Sequence, residues 1–413
     1  MKSFYYLSVT AILFTCGCKK DGTGGPGGGG GGITDIQSGQ IITNQEWKSG
    51  TYRIHGHVDI SNNVVLKIDP GVTIEFTDDA NAQDGGELST SDGGAIDAEG
   101  TSASQITFTG EQGVPGYWNG VDIFTNSNHN IFKYCKFQYG GKGTRSMVYV
   151  GDPNSNNIGR VSFQNCTFSN GLANGLYLNF NSFIDNSSNN TFTANAQYPV
   201  STALEAVSQL STSNTYTGNG SDYIYINSDY QCYANVHLQK FDVFYYVTAN
   251  SGTTIQILGD CIIDPGVTIA MGSNMELEVT AQNGHTGSFN CVGTATNPIT
   301  IKGFQSSQGY WDKIRFNGST SPNNQINHTN IQDGGSYNDG YLYDKGMITA
   351  VNAPNNLTIS NCNISNALFS GIYIKSNYNG EYGSINGQRT SGDIQNTLNF
   401  LIYNNCHPDY TIN

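Results

Sequence analysis

Three residues in the first half of the chain have types suited to taking a proton from a sugar acid. Lys142, Arg145 and Tyr149 lie close together beside a glycine-rich stretch. β-Elimination of a uronate polymer needs a cation to neutralise the carboxylate and a base to remove the neighbouring proton, and Lys, Arg and Tyr can fill those roles. Asp339, Tyr341, Tyr343, Asp344 and Lys345 occupy the corresponding loop of the second half. Solvated loop charge is the plain alternative for both sets. Tyrosine offers a different chemistry. Tyr149, Tyr177, Tyr225 and Tyr373 each stand between two aliphatic residues, so in a strand they point away from the core their neighbours enter. A row of outward phenols can stack on pyranose faces while the hydroxyls hydrogen-bond.

Other candidates read as structure. Trp118 and Trp311 recur at equivalent places, and each precedes a strand with inward alternation. That context favours packing at a corner over a sugar platform. Seven cysteines follow position 18: Cys135, Cys166, Cys232, Cys261, Cys291, Cys362 and Cys406. Their number is odd and their spacing fits no zinc or haem pattern. Cys135, Cys166 and Cys362 each sit two residues before Phe137, Phe168 and Ile364, which makes them small buried thiols. Asp78-Asp79 and the run 152–157 could hold Ca²⁺, but lack a calcium-loop spacing. No cofactor is expected. Arg53, His55 and His57 alternate with the packing residues Ile54 and Val58 through an opening coil and are set aside.

The elements that must position these residues come from repetition. Asp69-Pro70-Gly71-Val72-Thr73-Ile74 returns 195 residues on as Asp264 to Ile269. Gly116-Tyr117-Trp118 returns 193 residues on as Gly309 to Trp311, and Asn165-Cys166 returns 196 on as Asn361-Cys362. Within the first copy Cys166-Thr167-Phe168, Asn190-Thr191-Phe192 and Asn214-Thr215-Tyr216 recur every 24 residues. A period of that length is a solenoid signature. The alternation is short and broken by Asn and Gly, as in Val161-x-Phe163, Cys166-x-Phe168 and Leu176-x-Leu178. This predicts three short strands per coil with bends between them, an apolar interior and asparagine ladders at the bends.

On these motifs the chain resembles the right-handed parallel β-helix, pectate-lyase-like superfamily. More narrowly, it is similar to Bacteroidetes-type surface lipoproteins that open on a "DPGVTI" coil and continue through Ile106-Thr107-Phe108 and Gly116-Tyr117-Trp118. The resemblance spans about residues 33–413 and implies an all-β, tandemly duplicated solenoid. It implies no single activity, because the fold carries lyases, hydrolases, adhesins and binding modules. In its polysaccharide-active members the ligand groove runs along one outer sheet face. The hydrolase signatures "NTD", "GDD", "GHG" and "RIK" do not occur here.

The remaining sequence sets location. Lys2 and the apolar stretch Leu7 to Phe14 read as an export signal ending at Thr15-Cys16-Gly17-Cys18, with Cys18 the lipidated residue and Cys16 second choice. Residues 19–32 are a glycine-rich tether. The expected organisation is signal 1–18, tether 19–32, a first β-helix unit 33–235 and a second 236–413, with a junction near Tyr230 to Asp242. The Trp47 region would cap the first end, and Cys406 to Asn413 the last. A formal charge of −14 with 18 Lys plus Arg excludes phosphate-backbone binding. Together these features predict an outer-membrane lipoprotein, anchored to the membrane through its lipid. Its partner would be an extracellular polysaccharide or a surface protein, bound without catalysis along an outer sheet face. The alternative is an anchored polysaccharide lyase or glycoside hydrolase acting on acidic polysaccharide. Doubling the unit would lengthen the binding face.

Overall fold

A computed structural model describes residues 32–78, 85–152, 157–250, 252–336, 346–351 and 357–374. Among these residues the strands pair in parallel from coil to coil, with one local exception, the antiparallel pairing of Glu276–Gln282 with His285–Thr286. Leu176 and Leu178 are buried on either side of a half-exposed Tyr177, as the alternation requires. The rings of Phe108, Phe137, Phe168, Phe192 and Tyr216 stack along the interior at successive centroid distances of 4.8, 4.9, 4.5 and 5.4 Å. The stack places one ring per coil, with the 24-residue period in its last two steps and longer coils of 29 and 31 residues before them.

The bends have specific chemistry. Tyr134, Asn165, Asn189, His328 and Asn361 occupy one recurring bend with φ between 46° and 54°. Asparagine reaches this left-handed region at lower cost than most residues. Asn190 accepts from the Cys166 N–H at 2.9 Å, and its own N–H donates to Asn214 at 2.9 Å, so an amide ladder links three coils. In the Asp-Pro-Gly turns Gly71 and Gly266 have φ of 85° and 81°. The Val72 and Val267 N–H groups close those turns onto Asp69 and Asp264. Proline followed by a positive-φ glycine is the type II turn pattern.

Trp118 and Trp311 are fully buried. Trp118 stacks on Phe76 at 4.0 Å, and the two indole N–H groups donate to the carbonyls of Gln138 and Gln332. They are corner packing, and Trp47 at the first end is buried against Tyr52. Cys135, Cys166, Cys232, Cys261, Cys291 and Cys362 are free and buried. Cys135 donates to the Ala98 carbonyl and Cys166 to that of Phe132. The fold is therefore the expected all-β, tandemly duplicated parallel β-helix. Cys18, Asp79, Asp339, Tyr341, Tyr343, Asp344, Lys345 and Cys406 lie outside the described residues.

Pairing continues across the junction with a change of partner. In the first copy Leu176–Leu178, Val200–Thr202 and Tyr223–Ser228 stack in one column, and Phe244–Ala249 pairs directly below them. Below that comes Thr268–Met271, the second copy's "DPGVTI" strand. Its counterpart in the first copy, Thr73–Phe76, belongs to a different column, between Thr51–Ile60 and Ile106–Gly110. The second copy is thus displaced by one sheet around the helix. Two features coincide with the displacement. The short 3₁₀ helix Leu204–Gln209 follows Val200–Thr202 where earlier coils place a strand of the six-stranded sheet. Gln231–Cys232 then starts a new sheet that continues through Thr254–Ile257, Glu276–Gln282, Lys313–Asn317, Gly346–Val351 and Ser370–Ile374.

Candidate functional site

The outer face of the column that runs through both copies carries one row of side chains in register. From the first coil it runs Gln40, Asp59, Ser89, Asp122, Tyr149 and Tyr177. It continues through Ser201, Tyr225, Tyr246, Ala270 and Lys302. Polar groups occupy the first rungs, aromatic rings the middle, and Ala270 ends the ring series.

Tyr149, Tyr177 and Tyr225 therefore share one row, as their spacing predicts. The rings of Tyr149 and Tyr177 lie 4.3 Å apart, and those of Tyr225 and Tyr246 lie 5.6 Å apart. All four are half-buried. Burial pushes the Tyr177 hydroxyl up to about 12, helped by Tyr149, Asp229 and Glu205. Burial also raises Tyr149, against the opposing influence of Arg145. Both phenols are neutral at physiological pH. The backbone of Tyr373 pairs with Thr349 in the sheet that begins at Gln231, so it is not on this row.

The polar rungs converge on Arg145. Its guanidinium donates to Glu87 at 2.8 Å and to Asp122 at 2.5 Å, and lies 5.6 Å from the Tyr149 ring centroid. Asn119 donates to Glu87 at 3.1 Å. His57 Nε2 is 2.6 Å from Ser89 Oγ and 3.8 Å from Glu87, and Ser89 in turn donates to Asp59 at 2.9 Å. Asp122 is almost wholly enclosed, and its Oδ1 has no hydrogen-bond partner. Burial, then repulsion from Glu87, pushes its carboxyl up to about 7, while Arg145 pulls the other way. Two carboxyl groups share one guanidinium, and the enclosed one, Asp122, holds its proton more tightly than a free aspartate. Arg145 itself is raised: burial disfavours its charge, but Asp122 and Glu87 outweigh that. Lys142, in the short 3₁₀ helix Lys142–Thr144, is paired with Asp78. Both cations singled out from sequence are thus neutralised by carboxylates, and Arg145 cannot act as a base.

Sequence reasoning set His57 aside and missed Asp59, Glu87, Asp122 and Tyr246. The acids come from three different coils, and nothing local marks them as partners. Tyr246 had a signal: it alternates with the buried Tyr245 and Val247, as Tyr225 does with its aliphatic neighbours. A polar cleft of about 550 Å³ lies at the turns nearby, lined by Asn63, Asp92, Phe124, Thr125, Asn126 and Ser127. Asp92 is the single titratable group among these lining residues, which gives the cleft no acid–base pair. Among the described residues no group of three or more His, Cys, Asp and Glu could hold a metal ion.

Residues 39–184 are similar to the family model described as a pectate-lyase like beta helix domain. The matched segment contains the Arg145 cluster, Tyr149 and Tyr177, and stops before Tyr225 and Tyr246. No curated protein and no solved structure matches the chain.

Proposed function

We propose that this is a cell-surface protein, held at the outer membrane by a lipid on Cys18 through the 19–32 tether, that binds an extracellular neutral glycan without turning it over. One observation carries the reading: Tyr149, Tyr177, Tyr225 and Tyr246 stand on one outer row with half-exposed rings. Rings with a hydroxyl at the rim suit sugar faces. The neighbouring rungs place Asp59, Glu87 and Asp122 against Arg145 and His57, an acid excess that opposes a uronate chain. At this cluster the two cations that uronate elimination would use, Lys142 and Arg145, are ion-paired, and the phenols of Tyr149 and Tyr177 are protonated.

A second reading has a specific observation of its own. A carboxyl raised to about 7 beside a second carboxylate is how one acid donates and its partner accepts in glycoside hydrolysis. The enclosure of Asp122 weighs against contact with a substrate.

An array of neutral and acidic glycans, followed by assays for unsaturated products and new reducing ends, separates the readings. Binding of neutral glycans with neither product is expected. Turnover that disappears in Asp122→Asn would replace the binding reading with a hydrolase. Preferred capture of uronate polymers would overturn the neutral-ligand assignment.

A further inference from the structure

The displacement of the second copy assembles rings that neither copy holds alone. Tyr198, Tyr223 and Tyr225 end the first copy, Phe244 and Tyr246 begin the second, and Phe304 follows a strand two rungs further on. Tyr223 is the register neighbour of Phe244, and Tyr225 of Tyr246. Phe304 stacks on Tyr246 at 4.2 Å and meets Tyr223 edge-on at 5.9 Å. Tyr198 lies 5.0 Å from Tyr223 and 4.8 Å from Tyr225. Phe304 is 41% exposed, and Tyr198, Tyr225, Phe244 and Tyr246 are half-buried. An exposed aromatic cluster of this extent marks an interaction surface.

Its electrostatics select the occupant. The hydroxyls of Tyr223 and Tyr246 are raised by burial and then by other tyrosines, and no charged side chain is among the groups acting on them. The rim beside Tyr225 is polar: Thr248 donates to the Tyr225 hydroxyl at 3.0 Å, beside Asn227, while Lys302, on the row two residues before Phe304, and Asp229, reached from Asn227 through Asn250, place one cation and one anion at its edges. A protein interface of this kind is enriched in Arg and Met as well as aromatics, and neither is among these ring and rim residues. A chain of net charge −14 is repelled by an anionic lipid surface. Flat neutral rings with hydroxyl and amide edges match the two-faced character of a hexopyranose.

We infer that this seam is the principal docking site for a neutral hexopyranose chain lying along the helix axis. The inference rests on the reading of the face as glycan-binding. Successive rungs are about 4.8 Å apart, close to the length of one sugar unit in an extended chain. From Tyr149 to Tyr246 the row is five rungs long and carries four rings, with Ser201 between Tyr177 and Tyr225, and Ala270 closes it. The site therefore takes about five sugars, one per rung.

The test is titration of the full chain with cello-, manno- and galacto-oligosaccharides of two to six units. Affinity for one series rises with length and levels off near five. Phe304→Ala and Tyr246→Ala each weaken the hexasaccharide about tenfold, the loss of one stacked ring, and Phe304→Tyr restores it. Phe304 is 41% exposed and packs through its ring contacts with Tyr246 and Tyr223, so its alanine variant stays folded with a small drop in melting temperature. Wild-type affinity in both seam variants, with binding lost in Tyr149→Ala, overturns the seam and leaves the glycan reading standing. No binding of any series by the wild-type chain overturns both.

Discussion

The two copies share a frame and differ in what they place on it. Trp118 and Trp311 fill the same buried corner and make the same indole hydrogen bond. The outward positions two strands apart are rewritten. Where the first copy has Glu87, Ser89 and Asp122, the second has Glu276, Glu278 and Arg315. Tyr149 is replaced by Thr349. In the first copy the cation comes from a loop, and Arg145 reaches into the sheet to meet two carboxyls. In the second the cation is in the sheet, and Arg315 lies 3.6 Å from Glu276. Glu278 accepts from Gln256 and Asn317, each at 2.6 Å. Because the copies are also displaced by one sheet, these two polar faces look out from different sides of the coil. Duplication has not made two equivalent sites, nor has it extended the tyrosine row, which Ala270 and Lys302 end. It has made one face that runs from polar to aromatic and a second face that is polar.

Four measurements can break or sharpen that contrast. The largest effect belongs to the shared frame. Trp118→Ala and Trp311→Ala each remove a fully buried indole and leave a carbonyl unpaired, so each costs about 3–5 kcal/mol in denaturant unfolding. A large cost in one copy only would show that the frames are not equivalent. Next is Arg145→Ala, which leaves Glu87 and Asp122 facing each other without their cation. The partly solvated guanidinium brings the expected loss down to about 2 kcal/mol.

Asp122→Asn adds a pH signature. The folded carboxyl titrates near 7 and the unfolded one near 3.8, so the folded state binds the extra proton between those values. Wild-type stability therefore falls as pH rises from about 4 to 7 and levels off above. The asparagine variant lacks that fall and gains on wild type by more than about 1 kcal/mol between pH 4 and pH 8. An unchanged difference across that range would place Asp122 as an ordinary ion-pair carboxylate. The smallest effect is Lys142→Ala, which removes a partly exposed pair with Asp78 and costs less than about 1 kcal/mol. It leaves glycan binding unchanged.

Much of this was legible because it is local. Alternation around Tyr149, Tyr177 and Tyr225 fixed which side chains face out, and the Asn-Cys bends and Asp-Pro-Gly turns carry their conformation in their residue types. The displacement was not legible. Landmark offsets of 193 to 196 residues describe spacing along the chain, whereas the column a strand joins depends on how the coil between is spent. A 3₁₀ helix at Leu204–Gln209 and a new strand at Gln231–Cys232 shift the partners without disturbing that spacing. Pattern loss near Tyr230 to Asp242 carries no sign of which column the following strands join. The Arg145 cluster was hidden for a similar reason: its partners lie 58 and 23 residues away and meet only through coil stacking.

The central claim is that the tyrosine row binds a neutral glycan. The most direct measurement is the affinity of the wild-type chain and of a Tyr177→Ala/Tyr225→Ala double variant for the glycan the array selects. Loss of two stacking rings is expected to weaken binding at least about thirtyfold, with the fold unchanged. Equal affinity in the two proteins would contradict the account.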